Sequence, residues 1–192
     1  MPTELSENRT KNALDDALRQ MLARKPLDQI RVRELTELCG LRRQSFYYHF
    51  TDIYALFQWS LRQERARLLA RQEDFLTWQQ ALTDLMEHTA KNRSYYQALL
   101  DNHGRSGLRE VLGPALAGLM EKTHDYYQRY CGGSACSEEE DALRECVESI
   151  FLSLMEGWVR AELSQRPEWI VSLAEAGVRH TVISAVWQDL VQ

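Results

Sequence analysis

Nothing in the 192 residues approaches the roughly 18 to 20 consecutive apolar positions that a bilayer span requires, and the opening MPTELSENRTKN lacks the basic-then-apolar order of a secretory leader. A cytoplasmic protein without membrane contact is therefore expected. Cysteine is scarce as well. Cys39, Cys131, Cys136 and Cys146 include no CxxC pair, and in a reducing compartment all four read as free thiols. Cys131 and Cys136 together with His124 do not reproduce a recognised zinc spacing. The chain also lacks a phosphate-cradling glycine loop, a dinucleotide fingerprint and a nucleophile elbow, so neither a cofactor nor catalysis is expected. Proline (4) and glycine (9) are sparse and β-branched alternation is missing, which excludes sandwiches and barrels.

A net charge of −5 argues against a nucleic-acid partner only if it is evenly spread. It is not. From Arg9 to Phe50 nine Lys/Arg face five Asp/Glu, a balance of +4 that leaves −9 for the remainder. The 14 residues from Leu38 to Thr51 include Arg42 and Arg43 and no acid, as suits a surface turned toward phosphates.

Nearly every segment repeats apolar residues at intervals of three or four, so the fold is expected to be all-α. Ala13, Leu14, Ala17, Leu18, Met21 and Leu22 mark a first helix over about 9–24, stopped by Lys25-Pro26. Leu27 and Ile30 anchor a connector; Val32, Leu35 and Leu38 mark a second helix up to Gly40; residues 45–50 form a third. Three short helices with a tight turn between the second and third are a helix-turn-helix arrangement. A longer helix runs from Asp52 to about Arg71, with Ile53, Leu56, Phe57, Ser60, Leu61 and Leu68 inward and the charged half RQERARLLARQ read as solvated. Further helices are expected at about 77–92, 93–101 and 106–130. A capping-box start at Ser137-Glu-Glu-Glu140 opens another to about Arg166, and Pro167 opens the last, to about 190. No linker interrupts this order, so a head (1–56) and a body (57–192) share the helix that starts at Asp52.

The segment Leu38–Phe50 holds the side chains that read a duplex: Arg for guanine or phosphate, Gln for adenine, and hydroxyls and an imidazole as donors. Phe46 and Phe50, at i and i+4, hold such a helix to its core. The pattern Val32-Arg-Glu-Leu-x-x-x-x-Gly-Leu-x-x-x-Ser-Phe-Tyr-x-His-Phe-x-Asp52 resembles the TetR/AcrR family of transcriptional regulators over about residues 9–57. The resemblance implies a homodimer that reads a palindromic operator in double-stranded DNA, as an effector-responsive repressor. It also implies groove and phosphate contacts by Gln44, Ser45, Tyr47, Tyr48 and His49, with Arg42 and Arg43 at the entrance of that helix, Arg31 and Arg33 at the second, and Thr51 donating to a phosphate. For His49, packing within the head is the competing reading. Arg31 and Arg42 stand where the family commonly has a capping Thr or Ser, and Ile53 where many relatives place a lysine. His49-Phe-Thr-Asp-Ile-Tyr-Ala-Leu-Phe57 is similar to a branch that includes regulators of dihydroxyacetone kinase operons, some of which activate through a protein partner.

In the body, Trp78, His88, Tyr95, Tyr96, His103, His124 and Trp158 are candidate lining for an effector pocket, each with a plain core reading beside it. The effector is a small molecule or a protein co-regulator of unknown identity. The last two helices are expected to pair with their symmetry mates as a four-helix bundle, with Leu154, Trp158, Ala174, Gly177, Val178, Thr181 and Ala185 as candidate interface. The reading from a different class is a metal-dependent helical-bundle enzyme, suggested by Glu121-x-x-His124; it needs a second such motif, which the sequence does not supply, so no metal site is expected.

Overall fold

The computed structural model describes residues 4–72, 77–131, 137–161 and 166–177, with side-chain environments for all of these except 4–6, 72, 120–131, 137–144 and 147. Helices account for every regular element among the described residues apart from one 3₁₀ turn, and no strand is present among them. The fold class matches the all-α expectation.

Helix α1 (Glu4–Leu22) buries Leu14, Ala17, Leu18, Met21 and Leu22 and ends before Lys25-Pro26. It begins earlier than the apolar stripe does, because the stretch ahead of Arg9 contains adequate helix formers. The 3₁₀ turn Leu27–Gln29 seats Leu27 in the core. Next come α2 (Val32–Leu38) and α3 (Arg43–His49). Their junction is a Schellman turn: Gly40 takes φ +66°, its N–H donates to the Glu37 carbonyl at 3.2 Å, and the Leu41 N–H donates to Thr36 at 2.8 Å. A side chain at position 40 would be strained in this left-handed conformation.

Helix α4 (Ile53–Gln72) starts at Asp52, whose carboxylate accepts the Ala55 N–H at 2.7 Å. Helix α5 (Trp78–Lys91) is capped by the Thr77 hydroxyl, and α6 (Arg93–Cys131) breaks at Gly104 (φ 60°, ψ −157°), where two helices were expected from the sequence. Just before that break, the His103 ring stacks on Phe57 at 5.9 Å and its Nε2 lies 3.0 Å from the Gln58 amide. Helix α7 (Ser137–Arg160) packs along α6, and α8 (167–177) follows Arg166. Helix α1 touches α2, α4 and α6, while α5 lies against α6 and α7. One apolar cluster runs without interruption from Leu14 through Phe46, Phe57, Tyr96 and Leu116 to Ala174.

Where α1 meets α4, the core turns ionic. Asp15 and Glu64 are completely buried. Arg19 joins them, with Nη2 2.9 Å from Glu64 Oε2 and Nε 3.2 Å from Asp15 Oδ2, and its guanidinium lies 4.0 Å from the centre of the Tyr95 ring. Ser60 donates to Asp15, and Tyr96 donates to Glu64 at 2.8 Å. His88 Nε2 lies 2.5 Å from the same Glu64 oxygen. The solvated reading of Arg62–Gln72 is thus corrected at Glu64, which points inward one turn after Ser60, while Arg62, Arg65, Arg67 and Arg71 are exposed.

Candidate nucleic-acid interface

The third helix is fastened by one side and free on the other. Phe46 and Phe50 are buried, with their rings 5.9 Å apart, and Phe50 meets Trp59 of α4 at the same distance. These anchors turn Gln44, Tyr47 and Tyr48 outward: all three are exposed, the two tyrosines at 58 % and 68 %. Ser45 is half-buried.

The helical period divides the exposed side chains between two flanks. Toward α1, the Tyr48 hydroxyl donates to Glu7 at 3.3 Å, and the His49 ring stands edge-on to Tyr48 at 4.9 Å. Burial, then the nearby Lys11, push the His49 imidazole below its ordinary pKa against the opposing pull of Glu7. It also lies against Phe50, at 6.3 Å, so both readings of this half-buried residue have a structural basis.

Toward α2 and α4, Arg43 and Tyr47 border a cleft of about 410 Å³. Arg31 and Arg33 at the start of α2, Thr51 at the start of α4, and the unforeseen Tyr54 also line it. Arg31, Arg33, Arg42, Arg43 and Thr51 are all exposed. Arg33 pairs with Glu37 at 2.7 Å, and that hydrogen bond holds the guanidinium above its ordinary range. Ile53, in place of a lysine, is buried at the floor of the cleft. The structure thus gathers the ten residues singled out from the sequence around one helix and its immediate neighbours.

Both arginine N-caps lack a side-chain hydrogen bond. At α2 the reciprocal half of a capping box survives: the Glu34 carboxylate accepts the Arg31 N–H at 3.2 Å and is gripped by Lys25 at 2.5 Å. The Lys25 hydrogen bond, followed by that of Arg31, keeps the Glu34 carboxyl below its ordinary pKa.

The candidate pocket residues divide into separate groups. His88, Tyr95 and Tyr96 belong to the ionic cluster, while His103 sits at the α6 break. Trp78 packs on Phe151, and Trp158 is buried in α7. The side chain of His124 lies outside the described residues, as does that of Glu121. Neither the cleft beside α3 nor a second one of about 560 Å³ between Lys25-Asp28 and Ser94-Asn102 is lined by any of them.

Of the candidate interface residues, Trp158 and Ala174 are buried within the chain, so they serve its own core. Leu154 and Gly177 are half-buried, and a Cβ added at Gly177 would meet nothing within 4 Å. Val178, Thr181 and Ala185 lie outside the described residues. What the stripe reading missed is the other side of α8, where Trp169 is 53 % and Leu173 42 % exposed, one turn apart. Among the described residues, no helix is long and apolar enough to cross a membrane.

A family model described as a transcriptional regulator C-terminal region, of the TetR type, matches residues 76–176. The chain is similar to the HTH-type dhaKLM operon transcriptional activator DhaS of Lactococcus lactis subsp. lactis, at 26 % identity over 90 residues, covering 47 % of this chain and 48 % of that protein. It therefore matches about half the length of this curated relative. Among solved structures, the dihydroxyacetone kinase operon activator DhaS shares the fold with a TM-score of 0.73 at 16 % identity, covering 90 % of this chain and 96 % of the other. The chain belongs to the TetR-type transcriptional regulators, whose C-terminal region occupies residues 76–176.

Proposed function

We propose that the protein is a sequence-specific DNA-binding regulator that works as a homodimer, with α3 in the major groove and the cleft beside it against the sugar-phosphate backbone. The observation that carries this reading is the free face of α3: three large polar side chains, Gln44, Tyr47 and Tyr48, exposed over a firmly packed base and flanked by five exposed cationic or hydroxyl residues. Base edges are read by Gln44 and the tyrosines, and phosphates by Arg31, Arg33, Arg42, Arg43 and Thr51. Electrophoretic shift of an operator duplex tests the division of labour. Gln44→Ala and Tyr47→Ala should erode discrimination between operator and random DNA, whereas Arg43→Ala should weaken both and reduce the salt slope by about one. Equal losses on both duplexes for all three variants would contradict it.

The two capping positions give a second expectation. Arg31→Ser completes the box that Glu34 half forms, and Arg42→Ser restores an acceptor at the start of α3. Each should stabilise the free protein by about 0.5 to 2 kcal/mol while lowering DNA affinity and flattening its salt dependence. Thermal melts and salt titrations read both, and unchanged DNA binding would remove the phosphate role.

For the dimer, α7 and α8 are the proposed interface, with Trp169 and Leu173 at its centre and Leu154 and Gly177 beside them. The body is non-catalytic and takes the regulatory input, a small effector or a protein co-regulator. Trp78 is a candidate member of that site, because its indole N–H is buried with no acceptor among the described residues. An orphaned donor costs about 1 to 3 kcal/mol. Trp78→Phe is therefore expected to raise the melting temperature of the effector-free protein; a lower one would mean that packing outweighs the donor. The DhaS relative of Lactococcus lactis is a transcriptional activator, which supports the activator reading over repression. A promoter fusion carrying the operator decides the sign: expression rises with the protein for an activator and falls for a repressor.

A further inference from the structure

We propose that the buried Asp15–Arg19–Glu64 cluster is the gauge that sets the separation of the two recognition helices in the dimer, with Arg19 and Glu64 as its positioning residues. This rests on the dimeric DNA-binding reading above.

The cluster is placed where such a gauge must act. Helix α1 contributes Asp15 and Arg19 and packs against α2, which turns directly into α3. The other members come from α4, α5 and α6: Ser60, Glu64 and Arg67, then His88, then Tyr95 and Tyr96. Four helices therefore meet on two buried carboxylates; Arg19 of α1 and Arg67 of α4 each bond both, and of the two Arg19 stands on the helix that packs against α2. Glu64 Oε1 takes up Tyr96 and His88 from the body, and Oε2 takes up Arg19 from the head. Asp15 takes up Ser60 at Oδ1, and the Oδ2 that accepts Arg19 also accepts Arg67 at 3.1 Å.

Apolar helix contacts tolerate sliding and small rotations, because dispersion and burial depend weakly on direction. Charge-assisted hydrogen bonds do not. They fix donor and acceptor within a few tenths of an ångström, and in a buried setting no water replaces them. An apolar junction would hold the head just as firmly against dissociation, but it would leave the angle of α1 on α4 soft. That angle is magnified along α3, and two copies must place their α3 helices about 34 to 36 Å apart, or a multiple of that, to enter grooves on one face of the duplex. One added base pair moves a half-site along and around the helix, so an angular tolerance in the protein becomes a spacing tolerance in the DNA.

The experiment uses the full-length protein and a set of inverted-repeat duplexes whose central spacing varies from two base pairs fewer to two more than the best site. It also uses a single half-site, and every measurement is made well below the melting temperature of each variant. The native protein should lose about tenfold or more in affinity for a one-base-pair change of spacing, in line with the cost of a mismatched or deformed site. Arg19→Met, which keeps the length and apolar stem of the side chain, should remain dimeric and bind the half-site as the native protein does. Its spacing profile should flatten to within about threefold across the same set. Should Arg19→Met not fold, Tyr96→Phe and Ser60→Ala each remove one hydroxyl from the cluster at little change in volume, and each should broaden the profile in part. A purely structural role lowers stability and leaves the shape of the profile unchanged. A folded, dimeric Arg19→Met or Tyr96→Phe with the native profile overturns the gauge alone. A native protein indifferent to spacing overturns the dimeric reading, and the gauge with it.

Discussion

Trp169→Lys should yield monomers that bind the full operator about a hundred to ten thousand times more weakly than the proposed dimer, with helix content unchanged. Trp169 is half exposed on α8, so its substitution removes little from the core of the chain. A tryptophan presents about 150 to 250 Å² in total, and its exposed half can bury on the order of 100 Å² against a second copy. At about 25 cal/mol per Å² this contributes roughly 2.5 kcal/mol, and twofold symmetry makes the contact occur twice. Lysine removes that gain and sets two like charges near the axis. DNA binding falls with dimerisation because the second recognition helix no longer arrives at the effective concentration set by the first, an advantage of about 10² to 10⁴. Leu173→Glu should act in the same direction. Sedimentation velocity reads the association state, and a dimeric Trp169→Lys protein with native affinity would remove α8 from the interface.

The second large effect concerns stability in acid. Burial works to raise the Glu64 carboxyl, but the hydrogen bond from His88, the Arg19 charge and the Tyr96 hydroxyl outweigh it and hold the pKa at about 2, against an ordinary 4.5. The folded state thus binds this proton less readily than the unfolded chain does. The resulting stabilisation is complete above about pH 4.5 and is lost as pH falls from there toward 2, where Glu64 protonates even in the folded protein. A displacement of this size corresponds to about 3 kcal/mol. Glu64→Gln removes the titrating group while keeping its shape. At pH 7 the variant is destabilised by about 3 to 5 kcal/mol, because Arg19 loses a buried counter-charge, and its melting temperature falls by roughly 6 to 20 °C. Between pH 5 and pH 3 its stability should decline less steeply than that of the native protein. Parallel declines in the two proteins would assign the acid sensitivity to other groups.

Helix α3 and its surroundings are legible in the sequence because several independent signals fall on the same residues. Gly40 predicts a turn that only a left-handed residue makes easily, Phe46 and Phe50 at i and i+4 define the seated side, and the acid-free run from Leu38 to Thr51 defines the other. The packed head agrees at each point. Tyr54 escaped notice because its role in the cleft comes from the direction of α4 relative to α3, which no local pattern encodes.

The ionic cluster was overlooked for a different reason. Glu64 follows Ser60 and precedes Leu68 at intervals of four, squarely on the inward stripe, yet the density of charge in Arg62–Gln72 led that half of α4 to be read as solvated. Asp15, three residues before Leu18 and seven before Leu22, carries the same signal. A carboxylate on a buried stripe is tolerated only with a partner, and its partner Arg19 lies one turn away on the same helix, where an ordinary surface pair would also lie. At the proposed dimer face the stripe of small residues points to Ala174, which is buried, whereas the exposed apolar side of α8 is two large residues, Trp169 and Leu173. Periodicity identifies a stripe but not which of two apolar sides meets the chain's own core.

Selection of bound sites from a pool of random duplexes tests the central proposition most directly. A symmetric pair of subunits that each insert α3 into the major groove should enrich an inverted repeat, with half-site centres about 10 to 10.5 base pairs apart or a multiple of that, and with Gln44→Ala relaxing the preference within each half. A pool that remains random, or one that converges on a single asymmetric motif, would contradict it.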